Sequence, residues 1–172
     1  MSLLHPSYPA PRYFGEQGEL NARFRPATAE PDFVSGPVTP SGTRTGTAYH
    51  YLSTTTSTDG EYGLYRVEMG PEAGGPSTHF HKAMSEAFFV LSGAVRLFDG
   101  EQWVTATSGD HLYVPVGGLH AFRNDSAEPA SMLMLFAPGA PREEYFEGLP
   151  QLADLSDAER TEFCERHDSF FV

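Results

Sequence analysis

The stretch GPSTHFHKAMSEAFFVLSG, Gly75 to Gly93, decides how this chain folds. His79 and His81 stand two residues apart, and alternate residues of a strand point to the same face. Both imidazoles can therefore reach one ion. Lys82–Ser85 is a short break, after which Glu86 opens the apolar run Glu86–Leu91. If the break joins two adjacent antiparallel strands, it brings Glu86 beside the histidine pair. A second stretch, GDHLYVPVGGLHAFRN from Gly109 to Asn124, places His120 just after the turn Pro115–Gly118, at the start of another strand. Three neutral imidazoles and one carboxylate make a mixed nitrogen and oxygen donor set. That set suits one divalent transition metal per chain (Fe, Mn, Ni, Cu, Co or Zn) and is poor for calcium or magnesium.

Working outward, short strand patterns follow one another over residues 47–138. They are Ala48–Leu52, Tyr62–Met69, Thr78–His81, Ala87–Leu91, Val95–Phe98, Trp103–Ala106, His111–Pro115, Leu119–Arg123 and Ser131–Ala137. Turn signals separate them, among them Asp59-Gly60, Ser92-Gly93, Asp99-Gly100 and Gly117-Gly118. Strands this short at this spacing predict an all-β sandwich or barrel. No helical periodicity interrupts them, which argues against a parallel βαβ sheet.

Two flanking segments differ from this centre. Residues 1–46 hold Pro6, Pro9, Pro11, Pro26, Pro31, Pro37 and Pro40, half of the 14 prolines. Each removes a backbone donor and fixes φ, so neither a helix nor a central strand persists there. Tyr8, Tyr13, Phe14, Phe24 and Phe33 are spaced through the same segment, which reads as an extended arm lying on the main domain or on a partner subunit. Residues 47–140 are the barrel. Residues 141–172 form a tail with two short helices, Arg142–Gly148 and Asp157–His167, packed on the barrel. Ser156 and Glu159 have the spacing of a capping box. The tail is acidic, and its charge reads as a solvated face.

With 172 residues the chain has the size of one domain. It carries 23 acidic and 11 basic side chains, a net charge of −12. No Lys/Arg cluster exists to meet a nucleic acid backbone. The single cysteine, Cys164, rules out an internal disulfide and a cysteine-based zinc site. No apolar run is long enough to span a membrane, and the first residues lack the pattern of a secretory signal. The expectation is a cytoplasmic protein.

The two stretches together resemble the cupin family. The first cupin motif is Gly, five residues, H-x-H, three or four residues, Glu, six residues, Gly. His79, His81, Glu86 and Gly93 match it with the four-residue gap; the leading glycine position is Ala73, with Gly74 and Gly75 displaced beside it, which alters a turn. The second motif is Gly, five residues, P-x-G, two residues, His, three residues, Asn. Gly109, Pro115, Gly117, His120 and Asn124 match it at every fixed position. Residues 64–69, 86–93, 120–124, 138–139 and 144–147 look further like the bacterial single-domain quercetin-dioxygenase-like cupins. The acidic residues that often precede the ligand Glu in those proteins are replaced here by Lys82–Ser85.

The resemblance implies a double-stranded β-helix, or jelly-roll, barrel with a metal in its mouth, held by His79, His81, Glu86 and His120. It implies a homodimer as well. Alternation from Glu86 puts Phe88 and Val90 on its face; alternation from His120 puts Phe122 there. Tyr65, Val67 and Met69 form one apolar face, and Met132, Met134 and Phe136 another. Tyr65, Phe88, Phe122 and Met134 are thus the expected pocket wall for a small-molecule substrate. Ala87, Phe89 and Leu91 have the opposite parity and need a cover, either the arm or a second subunit. Three functions fit. The first is a metal-dependent, dioxygenase-like (quercetinase-like) oxidoreductase on a small aromatic or enolisable substrate, with Glu86 as catalytic base. The second is an isomerase or cyclase using the metal as Lewis acid. The third is a non-catalytic small-molecule binder.

Overall fold

The computed structural model describes residues 9–19, 21–36 and 46–172; Tyr8 of the expected arm lies outside them. The strands are β1 Phe33–Ser35, β2 Thr47–Ser53, β3 Gly63–Met69, β4 His79–Phe80, β5 Ser85–Ser92, β6 Ala94–Phe98, β7 Trp103–Thr107, β8 His111–Val114, β9 Ala121–Arg123, β10 Ala130–Ala137 and β11 Phe170–Phe171. The helices are α1 Thr55–Thr58, α2 Glu143–Gly148 and α3 Asp157–Arg166, with a 3₁₀ turn at Leu149–Asp154. Ser156 caps α3 in the expected capping box with Glu159.

The strands form two antiparallel layers. One is six-stranded, in the order β1-β2-β3-β10-β5-β8. The other begins as β7-β6-β9 and continues through backbone bridges between Gly74 and Asn124 and between His79 and His120 to the pair β4-β11. Together they make a double-stranded β-helix barrel. Register explains the core. Met134 faces Tyr65 on one side and Phe88 on the other, and Met132 faces Val67 and Val90 in the same way. All six are buried, and Val95 and Leu97 of β6 close on them from the opposite layer.

Two features of the flanking segments differ from the sequence reading. Part of the proline-rich arm is a strand: β1 pairs with β2 at the sheet edge, where a proline nearby removes no shared ladder bond. Phe33 of β1 stacks on Tyr49 at 6.0 Å, and Tyr49 on Phe146 of α2 at 4.5 Å. The arm's described residues do not cover the outer face of β5. β1 joins the sheet at the edge farthest from β8, Phe14 and Phe24 stay exposed, and Phe89 and Tyr113 remain 41% and 60% exposed.

Turn chemistry sets the histidines in place. A Cβ on Gly75 would collide with the Phe122 carbonyl, so a glycine there lets this segment lie against β9 and pair His79 with His120. Gly117, at φ +80°, makes the turn whose amide donates to the His81 carbonyl at 2.8 Å. Asn124, fully buried, holds the far end of the same pairing. Its Nδ2 donates to the Gly70 and Glu128 carbonyls, and its Oδ1 accepts from the amide and hydroxyl of Ser126. Asn124→Ala removes four hydrogen bonds around a fully buried side chain, although the Gly70 carbonyl keeps the Ala73 amide and the Glu128 carbonyl keeps the Ser126 hydroxyl. A loss of about 1–3 kcal/mol of stability is expected in urea unfolding; an unchanged midpoint would contradict this role.

Candidate metal centre

His79 lies on β4, His81 just beyond it, Glu86 on β5 and His120 at the foot of β9. Each is at most 4% exposed. One ligand atom from each of the four lies within 4.8 Å of the others. Each imidazole turns Nδ1 to a backbone carbonyl. His79 meets Ser77 at 2.9 Å, His120 meets Gly118 at 3.0 Å, and His81 meets Asp168. These contacts place the ring proton on Nδ1 and leave the Nε2 lone pair for the centre.

The donor set fits a metal on the structure's own terms. Glu86 Oε2 is 3.1 Å from His81 Nε2 and 2.8 Å from His120 Nε2. The His120 Nε2 atom nevertheless lies out of line for a hydrogen bond and is buried without a partner. A buried nitrogen lone pair beside a carboxylate is costly unless a cation joins them. Electrostatics point the same way. Burial, with His120 beside it, holds His79 down to about 4, so it is neutral and ready to ligate at pH 7. Burial raises the Glu86 pKa, and His120 and His81, when protonated, lower it to about 2; a cation at the centre favours the carboxylate in the same way while both imidazoles stay neutral. Glu86 is therefore ionised throughout the physiological range.

A cavity of about 340 Å³ opens onto this cluster, a size that suits a small organic ligand. His79 and Glu86 line it, with Phe122 and Met134 of the expected wall. Tyr65 and Phe88 do not. The Tyr65 hydroxyl is taken up by Glu143 at 2.7 Å, and Phe88 packs behind Phe122 at 5.5 Å between ring centres. Tyr49 and Phe136 of the barrel add to this wall, and the tail supplies Arg142, Tyr145 and Phe146, with Phe171 stacked on His79 at 5.1 Å. Strand alternation could not reveal the tail residues, because they all follow β10 and reach the site only when the tail folds back.

Asp168 is a further functional residue that the sequence reading passed over as tail charge. Its carbonyl accepts from His81, and its carboxylate accepts from the Lys82 and Ala83 amides at 2.9 Å each. At φ +55° it is in the left-handed region that Asp tolerates better than most residues. It therefore aims one imidazole and fixes the loop that separates His81 from Glu86. Asp168→Ala is expected to weaken metal affinity about 10–100-fold in competition with a chelating dye. An unchanged affinity would show that the loop between His81 and Glu86 needs no such support.

Three comparisons place the chain among known proteins. A family model described as the cupin domain matches residues 65–136. Quercetin 2,3-dioxygenase of Bacillus subtilis (strain 168) is 30% identical over 83 residues, which are 48% of this chain and 24% of that protein. The match thus spans about a quarter of that relative's length. Among solved structures, a sugar phosphate isomerase from a cupin superfamily of Silicibacter pomeroyi is 25% identical, covering 54% of this chain and 59% of that one with a TM-score of 0.48. Ectoine synthase from P. lautus is 18% identical over 60% of this chain and 72% of that one, with a TM-score of 0.49. Among the described residues no helix is long and apolar enough to cross a membrane.

Proposed function

From the premise that the chain belongs to the cupin superfamily, we propose that it is a metal-dependent, dioxygenase-like oxidoreductase acting on a small aromatic or enolisable substrate. The observation that carries this reading is a buried donor set of which His79 and Glu86 open onto one cavity with an aromatic wall. The partial identity to a quercetin dioxygenase supports the reaction class.

His79, His81, Glu86 and His120 would hold the ion. When bound, a divalent transition metal supplies polarisation of a substrate oxygen and, if redox-active, one-electron chemistry. The chain's own residues do the rest. Phe122, Phe136 and Phe171 flank a flat ligand and exclude water from it. Glu86, ionised and facing the cavity, accepts a proton from a substrate hydroxyl or from the carbon beside a carbonyl. The Nδ1 contacts to backbone keep the imidazoles from turning to compete for that proton.

The test is oxygen uptake by metal-loaded protein across flavonols, catechols, β-diketones and carboxylated members of these classes. Substrate-dependent oxygen consumption is expected. Turnover of a substrate with no oxygen uptake would replace oxygenation with Lewis-acid isomerisation or cyclisation. Binding without turnover would leave a small-molecule binder.

A further inference from the structure

Among the described residues Arg142 is the one cationic side chain lining the cavity. It stands just ahead of α2 and is only 3% exposed. A guanidinium carries five N–H donors. Nη1 donates to the His167 carbonyl and to Ser169 Oγ, and Nη2 donates to the same Oγ at 3.3 Å. Nε has no partner at all. That leaves two donors of the five unused. Among the described residues no carboxylate lies within ion-pair distance of it. Aromatic faces surround it instead, with Tyr145 4.0 Å from the guanidinium carbon and Phe136 5.1 Å. Burial pulls its pKa down, yet an arginine stays charged. Ring faces offset only part of the cost of a buried cation, which ordinarily calls for an anion.

The charge balance of the cavity sharpens this. With the imidazole neutral, Glu86 and Arg142 cancel. A divalent ion at the four-residue cluster then leaves two uncompensated positive charges between aromatic walls. The neighbouring acids are committed elsewhere: Glu86 to the imidazoles and Asp168 to two amides.

We propose that Arg142 receives the carboxylate of a flat aromatic or conjugated acid, whose hydroxyl or enolisable oxygen faces Glu86 and His79. The ligand class is thus a small acid bearing a second ionisable oxygen, not a neutral flavonol. This rests on the reading that the cavity is the substrate site, and it narrows the substrate class of that reading.

The test is calorimetric titration of the metal-loaded chain with two acid and neutral pairs: salicylate against salicylamide, and phenylpyruvate against phenylacetone. Each acid is expected to bind about tenfold tighter or more than its neutral counterpart, as a charge-assisted hydrogen-bonded contact confers. In Arg142→Gln the preference should disappear while metal content stays stoichiometric. Arg142→Lys keeps the charge and should keep most of the preference, and the wild-type comparison needs no variant to fold. Equal binding of acid and amide, no binding of either, or a preference that survives Arg142→Gln would each overturn the proposal. So would a preference lost on stripping the metal and unaffected by Arg142→Gln, since the ion would then be the anion's only partner. Elemental analysis separates the two readings. A chain that holds no metal but still prefers the acids would end the metalloenzyme reading and leave this one standing.

Discussion

Replacing His81 by alanine should strip the chain of stoichiometric metal. His81 supplies one of four buried donors, and its Nε2 lies 3.1 Å from the Glu86 carboxylate that shares the centre. Removing a partner that merely orients a ligand costs about 10–100-fold in affinity; removing the ligand itself should cost more. The expected readout is a variant that purifies at the wild-type level, melts cooperatively, and contains well under one ion per chain. The barrel core, centred on Phe88, Met132 and Met134, does not depend on His81, so the fold should survive. Full metal occupancy in His81→Ala would show that the centre lies elsewhere or does not use this imidazole.

The second large effect concerns Glu86. Glu86→Gln keeps the shape and an oxygen donor but removes the charge and the basicity. Two roles then separate. A carboxylate that only holds the ion would cost affinity, and excess metal would restore turnover. A carboxylate that also takes the substrate's proton leaves turnover depressed by roughly 10²–10⁴ at saturating metal, the usual contribution of a positioned acid or base. The second outcome is the expected one, because among the described residues Glu86 is the only carboxylate lining the cavity. Complete recovery with added metal would remove the base role and favour Lewis-acid chemistry.

The local patterns that specify the barrel are short-range, which is why they could be read from the chain. His79-x-His81, the four-residue break and the Pro115–Gly118 turn each act over a few residues, and the strand period carries the side chains inward from there. The strands begin and end within about two residues of their expected bounds. The displaced Gly75 was legible as a departure from the motif, but its reason was not. It depends on the Phe122 carbonyl, 47 residues away in the chain. The pocket wall was half legible for the same reason. Phe122 and Met134 follow from parity, whereas Tyr65 shares that parity and yet is drawn to Glu143 by its hydroxyl. Arg142, Phe171 and Asp168 reach the site because the tail folds back and pairs β11 with β4, a contact between residues about ninety positions apart. An acidic, capped helix gives no local sign of that return. β1 was missed because a proline-rich segment offers little strand signal, and its place at a sheet edge is what makes three residues of pairing tolerable.

Four buried side chains, His79, His81, Glu86 and His120, are arranged to hold one metal ion. The direct measurement is elemental analysis, joined to X-ray absorption at the metal edge, of wild-type protein purified without chelators. One divalent transition metal per chain is expected, with imidazole nitrogens and carboxylate oxygen at about 2.0–2.3 Å. A chain without bound metal that also fails to take up Fe, Mn, Ni, Cu, Co or Zn when each is supplied, or an ion whose shell lacks imidazole, would contradict it.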